Sequence, residues 1–173
     1  MPPKFLFDIS DVDLERTQFT REDIREKIPH RFEFEQLTSI VLLQPEQGRA
    51  IALREITDDE FWVRGHVPGK PIFPAVLMLE AAAQLCAFYT YSVIDTDELC
   101  AFAGINKARF RGVVEPGSKL HVLAQAKQVS TVRSAFTTQG LVNGAVVFEA
   151  EVLGVRLPGV KLSEIAPRDS ETT

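Results

Sequence analysis

The sequence predicts an α+β domain in which an antiparallel sheet encloses one long buried helix. Three observations carry this. Residues 75–93 form one run, and almost every side chain from 75 to 87 is apolar; a helix that is apolar all round is buried all round. Residues 99–157 then read as strands at 99–111, 119–131, 133–141 and 145–157, with short polar breaks between them. Consecutive strands with short connections pair antiparallel. The breaks carry turn chemistry: Pro116-Gly117 is one turn, and Asn143-Gly144 is a strong two-residue hairpin signal.

The other elements follow in order. Residues 1–19 are mixed and acidic, with Phe5, Leu6, Phe7 and Ile9 as a small apolar cluster, and read as an extension that is either a docked arm or a loose end. Thr20 and Asp23 make a capping-box pattern, which predicts a short helix over 21–27. Strands at 37–43 and 49–57 are joined by the turn Pro45-Glu46-Gln47-Gly48. A short third strand is expected at 60–64, after the polar break Thr57-Asp58-Asp59. The main domain covers 20–157, and 158–173 reads as a polar tail that frays.

Composition narrows the function. A chain of 173 residues with 45% apolar content and a net charge of −5 reads as one ordinary globular domain. The acidic balance argues against nucleic-acid binding as a main role. Cys86 and Cys100 make neither a disulfide framework nor a metal motif, and no nucleotide-binding or metal signature occurs, so neither metal nor organic cofactor is expected. Glu80 and Gln84 interrupt the apolar run and no second such run follows, which argues against a membrane span. Asp8, Asp11 and Asp13 interrupt any cleavable leader at the N-terminus, and a reduced, cytoplasmic setting is the simplest expectation.

The informative stretch is 65–84, GHVPGKPIFPAVLMLEAAAQ. Its first half holds two glycines and three prolines and must be a loop. Pro74 suits a first helical position. In the helix Glu80 and Gln84 share one face, and a carboxylate there is costly without partners or a task. His66 in the loop is a base near neutral pH. Burial tends to raise a carboxyl's pKa, so Glu80 is expected to hold a proton. Between them the helix start offers free N–H groups and the positive end of a dipole. A base, an acid and an oxyanion site together suit removal of a proton beside a carbonyl, followed by loss of a hydroxyl. Alone, His66 is an ordinary loop histidine and Glu80 a partner for a buried arginine; the argument lies in their combination.

That stretch resembles the beta-hydroxyacyl-acyl carrier protein dehydratases of the FabZ/FabA type, whose signature runs G-H-F-P-G-x-P-x-M-P-G-V-L-x-L-E-A-x-A-Q. The chain departs from it at Val67, Phe73 and Ala75. The resemblance implies a hot-dog fold and a homodimer, with a trimer of dimers as a further assembly. Each site would take its histidine from one subunit and its carboxylate from the other. His66 would remove the C2 proton of a (3R)-3-hydroxyacyl thioester carried on acyl carrier protein, and Glu80 would protonate the departing hydroxyl. The Ala75 N–H would hold the enolate oxygen, Gln84 would hold the carboxyl, and Gly69 would shape the loop. Phe73, with Phe61 and Leu77, would line an acyl tunnel. Isomerising relatives carry Asp at the Glu80 position, so plain dehydration is favoured.

Two more segments resemble the family. Ile28-Pro29-His30-Arg31 matches its L-P-H-R, and His30 reads as a structural residue at the edge of the site. The family's later Asp-Arg pair is replaced here. Residues 104–120 match a G-I-D-K-A-R-F segment followed by P-G-D. There Lys107, Arg109 and Arg111 alternate onto one strand face, either as a solvated face or as a dock for the acidic carrier. His121 reads as an ordinary surface or edge residue. A thioesterase on the same fold, or an acyl-binding module without catalysis, remain the competing functions.

Overall fold

The buried helix and the sheet around it take the expected form. The computed structural model describes residues 4–165. Its elements are α1 Arg21–Lys27, β1 Ser39–Gln44, β2 Arg49–Glu55, α2 Ala75–Val93, β3 Glu98–Phe110, β4 Lys119–Val129, β5 Arg133–Val142, β6 Ala145–Lys161 and a last turn, α3 Leu162–Ile165. All neighbouring strands are antiparallel, in the order β1-β2-β4-β5-β6-β3. The sheet curls round α2, the hot-dog arrangement. α2 is long and apolar enough to cross a bilayer, but its Met78, Leu85 and Phe88 are core residues packed with Ala50, Ala52 and Phe148 of the strands. Leu85 and Phe88 are fully buried, and each such side chain contributes about 1.5–3 kcal/mol by leaving water.

Local signals set the boundaries. Thr20 caps α1 through a complete capping box with Asp23. Asn143 and Gly144 take φ of 49° and 74°, the left-handed pair that a tight hairpin turn between β5 and β6 requires. The helix begins at Ala75 as expected, and Pro74 stands at its N-cap rather than at its first helical position.

Three expectations change. Residues 60–64 are successive turns, not a strand: Val63 N–H donates to the Glu60 carbonyl, and Gly65 and His66 both donate to Trp62. Glu60 causes the fold-back, because its carboxylate accepts from Thr57 N and Trp62 Nε1 and pairs with buried Arg54. The tail does not fray at 158. β6 runs on to Lys161, which pairs with Glu98, and Leu162 and Ser163 donate to Asp97. Residues 166–173 of that expectation lie outside the described residues. His121 is no surface residue; only 8% exposed, it lies on β4 beneath the N-terminal arm and donates its Nε2–H to the Leu14 carbonyl at 3.2 Å.

The arm is docked. Phe7 is buried in a second cluster with Val41, Ile51, Leu53, Leu123 and Leu141, on the face of the sheet away from α2. Gln139 ties it down, accepting from Leu6 N and donating to the Lys4 carbonyl. Arg49 lies 5.0 Å over the Phe7 ring. Gln18 and Phe19 then pair with Ile40 at the β1 edge.

Burial holds the His121 imidazole below the usual histidine range, with Lys119 adding to the effect while the Leu14 carbonyl and Glu15 oppose it. The docked form therefore binds fewer protons than the released form, so arm stability is full above about pH 6.5 and falls as the pH drops below it. Hydrogen exchange across the arm, corrected for intrinsic rates, is expected to quicken between about pH 7.5 and about pH 5.5. His121→Gln, which keeps a donor for Leu14 and cannot titrate, removes that response. An unchanged response in His121→Gln refutes the assignment.

Candidate active site

The loop before α2 has few ways to fold. Gly69 takes φ +83°, a left-handed conformation that costs a side-chain-bearing residue strain, and Lys70 N–H closes a turn onto the Val67 carbonyl. Phe73 N–H donates to the Val114 carbonyl at 2.7 Å and anchors the far end. His66 is exposed, and its Nδ1 lies 2.7 Å from the Ile72 carbonyl. A carbonyl only accepts, so Nδ1 carries the proton and Nε2 keeps its lone pair. The loop's own backbone thus presents His66 as an oriented base.

Glu80 is held from two sides. Gln84 Nε2–H donates to Glu80 Oε1 at 2.8 Å, and His30 Nε2 lies 3.3 Å from the same oxygen. Gln84 is itself fixed: its Oε1 accepts from Gln36 N at 3.0 Å and its Nε2 donates to the Phe34 carbonyl at 2.6 Å. The 34–36 segment therefore serves as the clamp on Gln84. Burial pushes the Glu80 carboxyl up, but the hydrogen bonds from His30 and Gln84, to which any positive charge on His30 would add, outweigh it, leaving the group below the usual carboxylate value. This reverses the expected direction for the single chain. Its side chain is still 24% exposed, so burial is incomplete.

Glu80 and His30 line a cavity of about 420 Å³, open mouth included, between α2 and strands β3, β5 and β6. Ala83 and Ala87 continue its helix wall, while Cys100, Ser134 and Gly154 face them. From Glu80 to Ala87 the wall runs about 10 Å along the helix axis. Gly154 keeps the floor open, since a Cβ there would meet Ser134 Oγ at 2.6 Å and Cys100 Sγ at 3.1 Å. No residue of the loop 65–74 lines this cavity.

The remaining candidates are dispersed. Ala75 opens α2 with no side-chain cap on the helix start, so its N–H lacks a capping oxygen. Phe73 is a core residue rather than a cavity residue: it is 1% exposed, edge-on to Trp62 at 5.5 Å and beneath Arg54 at 5.7 Å. Phe61 is exposed and lines a different surface groove, beside Phe32 and Arg54. Leu77 packs on the core. The three cations are not a free basic face. A bulge between Asn106 and Arg109 breaks the alternation, with Lys107 at φ 52°. Lys107 pairs with Glu151 at 3.0 Å and Arg111 with Glu149, leaving Arg109 as the one without an ion pair among the described residues. His30 was legible in the sequence only as part of a local motif; its reach to Glu80 spans fifty positions and has no spacing signature.

The family model for a FabA-like domain matches residues 28–151. The 3-hydroxyacyl-[acyl-carrier-protein] dehydratase FabZ of Escherichia coli O9:H4 (strain HS) is 39% identical over 139 residues, covering 78% of this chain and 91% of its own. The FabZ of Escherichia coli (strain K12 / DH10B) gives the same figures. Among solved structures, the dehydratase heterocomplex ApeI:P from Xenorhabdus doucetiae aligns with a TM-score of 0.68 at 12% identity, over 84% of this chain and 97% of that one. The E. coli PaaI protein aligns with a TM-score of 0.53 at 14% identity, over 68% and 81%. These structures bear on the fold alone, but the family match covers both His66 with its loop and Glu80 with its clamp, and the chain belongs to the FabA-like dehydratase family.

Proposed function

We propose that the chain converts (3R)-3-hydroxyacyl-acyl carrier protein to the trans-2-enoyl thioester, in the cytoplasm, during fatty acid synthesis. The observation that carries this is the split arrangement of base and acid. Glu80 faces a cavity whose walls include Ala83, Ala87, Phe102, Val152 and Leu153, side chains an acyl chain could lie against, while His66 stands on a loop that contributes nothing to that cavity. One chain holds half a site. β3 is an edge strand of 13 residues with Phe102 51% and Phe110 45% exposed, and Phe102 lines the cavity as well. A long apolar edge is a template for pairing with another chain. Pairing β3 with β3 of a second copy about a two-fold axis would bring a partner loop to the cavity, and an isologous interface makes two such sites.

The chemistry then follows. Nε2 of His66 takes the C2 proton, which the thioester carbonyl acidifies. The enolate oxygen is held by the Ala75 N–H at the positive end of α2. The C3–O bond breaks as the other subunit's Glu80 delivers a proton from Oε2, and water leaves. Burial is already the largest influence on Glu80; removing its remaining exposure on assembly and substrate binding pushes the carboxyl up, toward a form that holds a proton at neutral pH.

The carrier would dock near the end of β3. Exposed ion pairs such as Lys107–Glu151 are weak and open at small cost, and Arg109 is already free to meet an acidic surface. Arg109→Glu is expected to raise KM for carrier-bound substrate several-fold, less so at high salt, and to leave a small thioester analogue unaffected. Equal effects on both substrates would make the residue structural.

The decisive experiment is complementation. His66→Ala and Glu80→Gln should each lower turnover by about 100-fold or more. Mixed under subunit exchange, half of the random pairs are heterodimers with one intact site, so activity should return to roughly a quarter of wild type. No recovery despite demonstrated exchange would overturn the shared site. Thioester hydrolysis without enoyl product would overturn the dehydration.

A further inference from the structure

We infer that His30 is a positioning residue for Glu80: it donates a neutral N–H to Oε1 and thereby confines the transferable proton to Oε2. This rests on the reading of Glu80 as the acid.

The argument begins behind the histidine. His30 leaves α1 on a rigid exit. Arg31 Nη1 donates to the carbonyls of Ile28 at 2.9 Å and His30 at 2.8 Å, and its Nη2 donates to the Arg25 carbonyl at 3.0 Å. Arg25 is in turn held in a two-pronged pair by Glu35, at 2.6 and 3.0 Å. Ile24 and Ile28 are buried and fix α1 to the body. The ring therefore has one approach, with Nε2 toward Glu80.

The tautomer follows from the surroundings. Nδ1 of His30 is buried and has no hydrogen-bond partner among the described residues. An N–H there would be a buried orphan donor, which is costlier than a bare nitrogen. The proton of the neutral ring is accordingly on Nε2, facing Glu80 Oε1 at 3.3 Å. Gln84 Nε2–H reaches the same oxygen at 2.8 Å. Two donors converge on Oε1, and among the described residues no hydrogen bond is made to Oε2. A carboxyl whose Oε1 already accepts two N–H groups carries its own proton on the other oxygen, the one left for the substrate hydroxyl. Gln84 alone would fix the carboxyl at one point and leave it free to pivot. His30 supplies the second, from an element outside α2.

His30 also bears on when Glu80 gives up its proton. Its hydrogen bond favours the ionised form and stands against burial. Removing the donor raises the Glu80 pKa, so the limb of the pH–rate profile that reports it moves to higher pH. A purely structural histidine would not move that limb.

The test compares two replacements in the full-length protein. Glutamine can place an N–H near the Nε2 position, whereas asparagine reaches only to Nδ1. With a carrier-bound 3-hydroxyacyl substrate, His30→Asn is expected to lower kcat about 10- to 100-fold, the usual scale for a residue that orients a reacting group, with little change in KM and the limb moved up. His30→Gln is expected to stay within a few-fold of wild type with the limb in place. Imidazole ¹⁵N NMR of the unaltered protein gives a reading that needs no variant: the His30 proton should lie on Nε2, and a proton on Nδ1 overturns the inference. Wild-type kcat and pH profile in His30→Asn would overturn it too, as would equal losses in both variants with an unmoved limb. Glu80→Gln is measured alongside. If it is inactive while His30→Asn is unaffected, only the positioning role fails; if it is fully active, the acid role fails and this one with it.

Discussion

A carboxylate on the flank of an apolar helix is the constraint on which the rest of the structure depends. α2 must be buried to hold the sheet, yet Glu80 must not be buried without partners. Gln84 resolves the conflict. Its amide is 1% exposed and all three of its hydrogen bonds are made inside the protein, two to the backbone of the 34–36 segment and one to Glu80. Loss of Gln84 would leave the Gln36 N–H without its acceptor as well as loosening the acid. The helix, the segment before β1 and the exit of α1 are thus bound into one support for a single oxygen. The polar atoms that interrupt the apolar run are what fix its rotation against the sheet.

The second constraint comes from the sheet. Along β2, Ala50 and Ala52 face α2 while Ile51 and Leu53 face away, and all four are buried. A strand apolar on both faces needs covers on both sides. α2 supplies one, and the arm carrying Phe7 supplies the other. The small alanines let the sheet approach the helix closely, and the larger Ile51 and Leu53 fill the space beneath the arm. This outer layer makes no contact with the Glu80 cavity. It covers Ile51 and Leu53 of β2 and Leu123 of β4 and leaves the β3 edge, at the far end of the strand order, uncovered by any described residue.

Much of this could be read from the chain. The helix over Ala75–Val93 was legible because apolarity on every side admits no alternative for so long a run. The α1 capping box and the Asn143-Gly144 turn were legible because their chemistry is local. What failed had a tertiary cause. Residues 60–64 look like a strand until Arg54, six positions earlier and buried, draws Glu60 back on itself. Phe73 looks like a site residue by its place in the motif, but Trp62 and Arg54 enclose it. The basic triplet reads as a face only if β3 is regular. The bulge at 106–109 and the acids of β6 opposite it appear only once the register is known. The run Ala50-Ile51-Ala52-Leu53 did carry a signal, a strand covered on both faces, from which the docked arm could have been inferred.

On the proposed mechanism, the two halves of the site also differ in how they are tuned. His66 is exposed and gains its role from one backbone carbonyl, which fixes the tautomer without burying the ring. A base that remains in contact with water can exchange its proton after each turnover. Glu80 is half-buried, with its ionised state favoured by the hydrogen bonds from His30 and Gln84. The direction in which it tips therefore depends on the remaining exposure. Open, the carboxyl sits low and is ionised at neutral pH; closed by the proposed partner edge and an acyl chain, it would lose water while its two donors stayed unchanged, so only the upward influence would grow. The acid would hold its proton only when the site is complete, which ties proton delivery to assembly and substrate binding without any moving part. The arrangement requires the donors to be neutral, since a permanent cation beside Glu80 would hold it ionised in every state. An amide and an imidazole meet that requirement where an arginine or lysine would not.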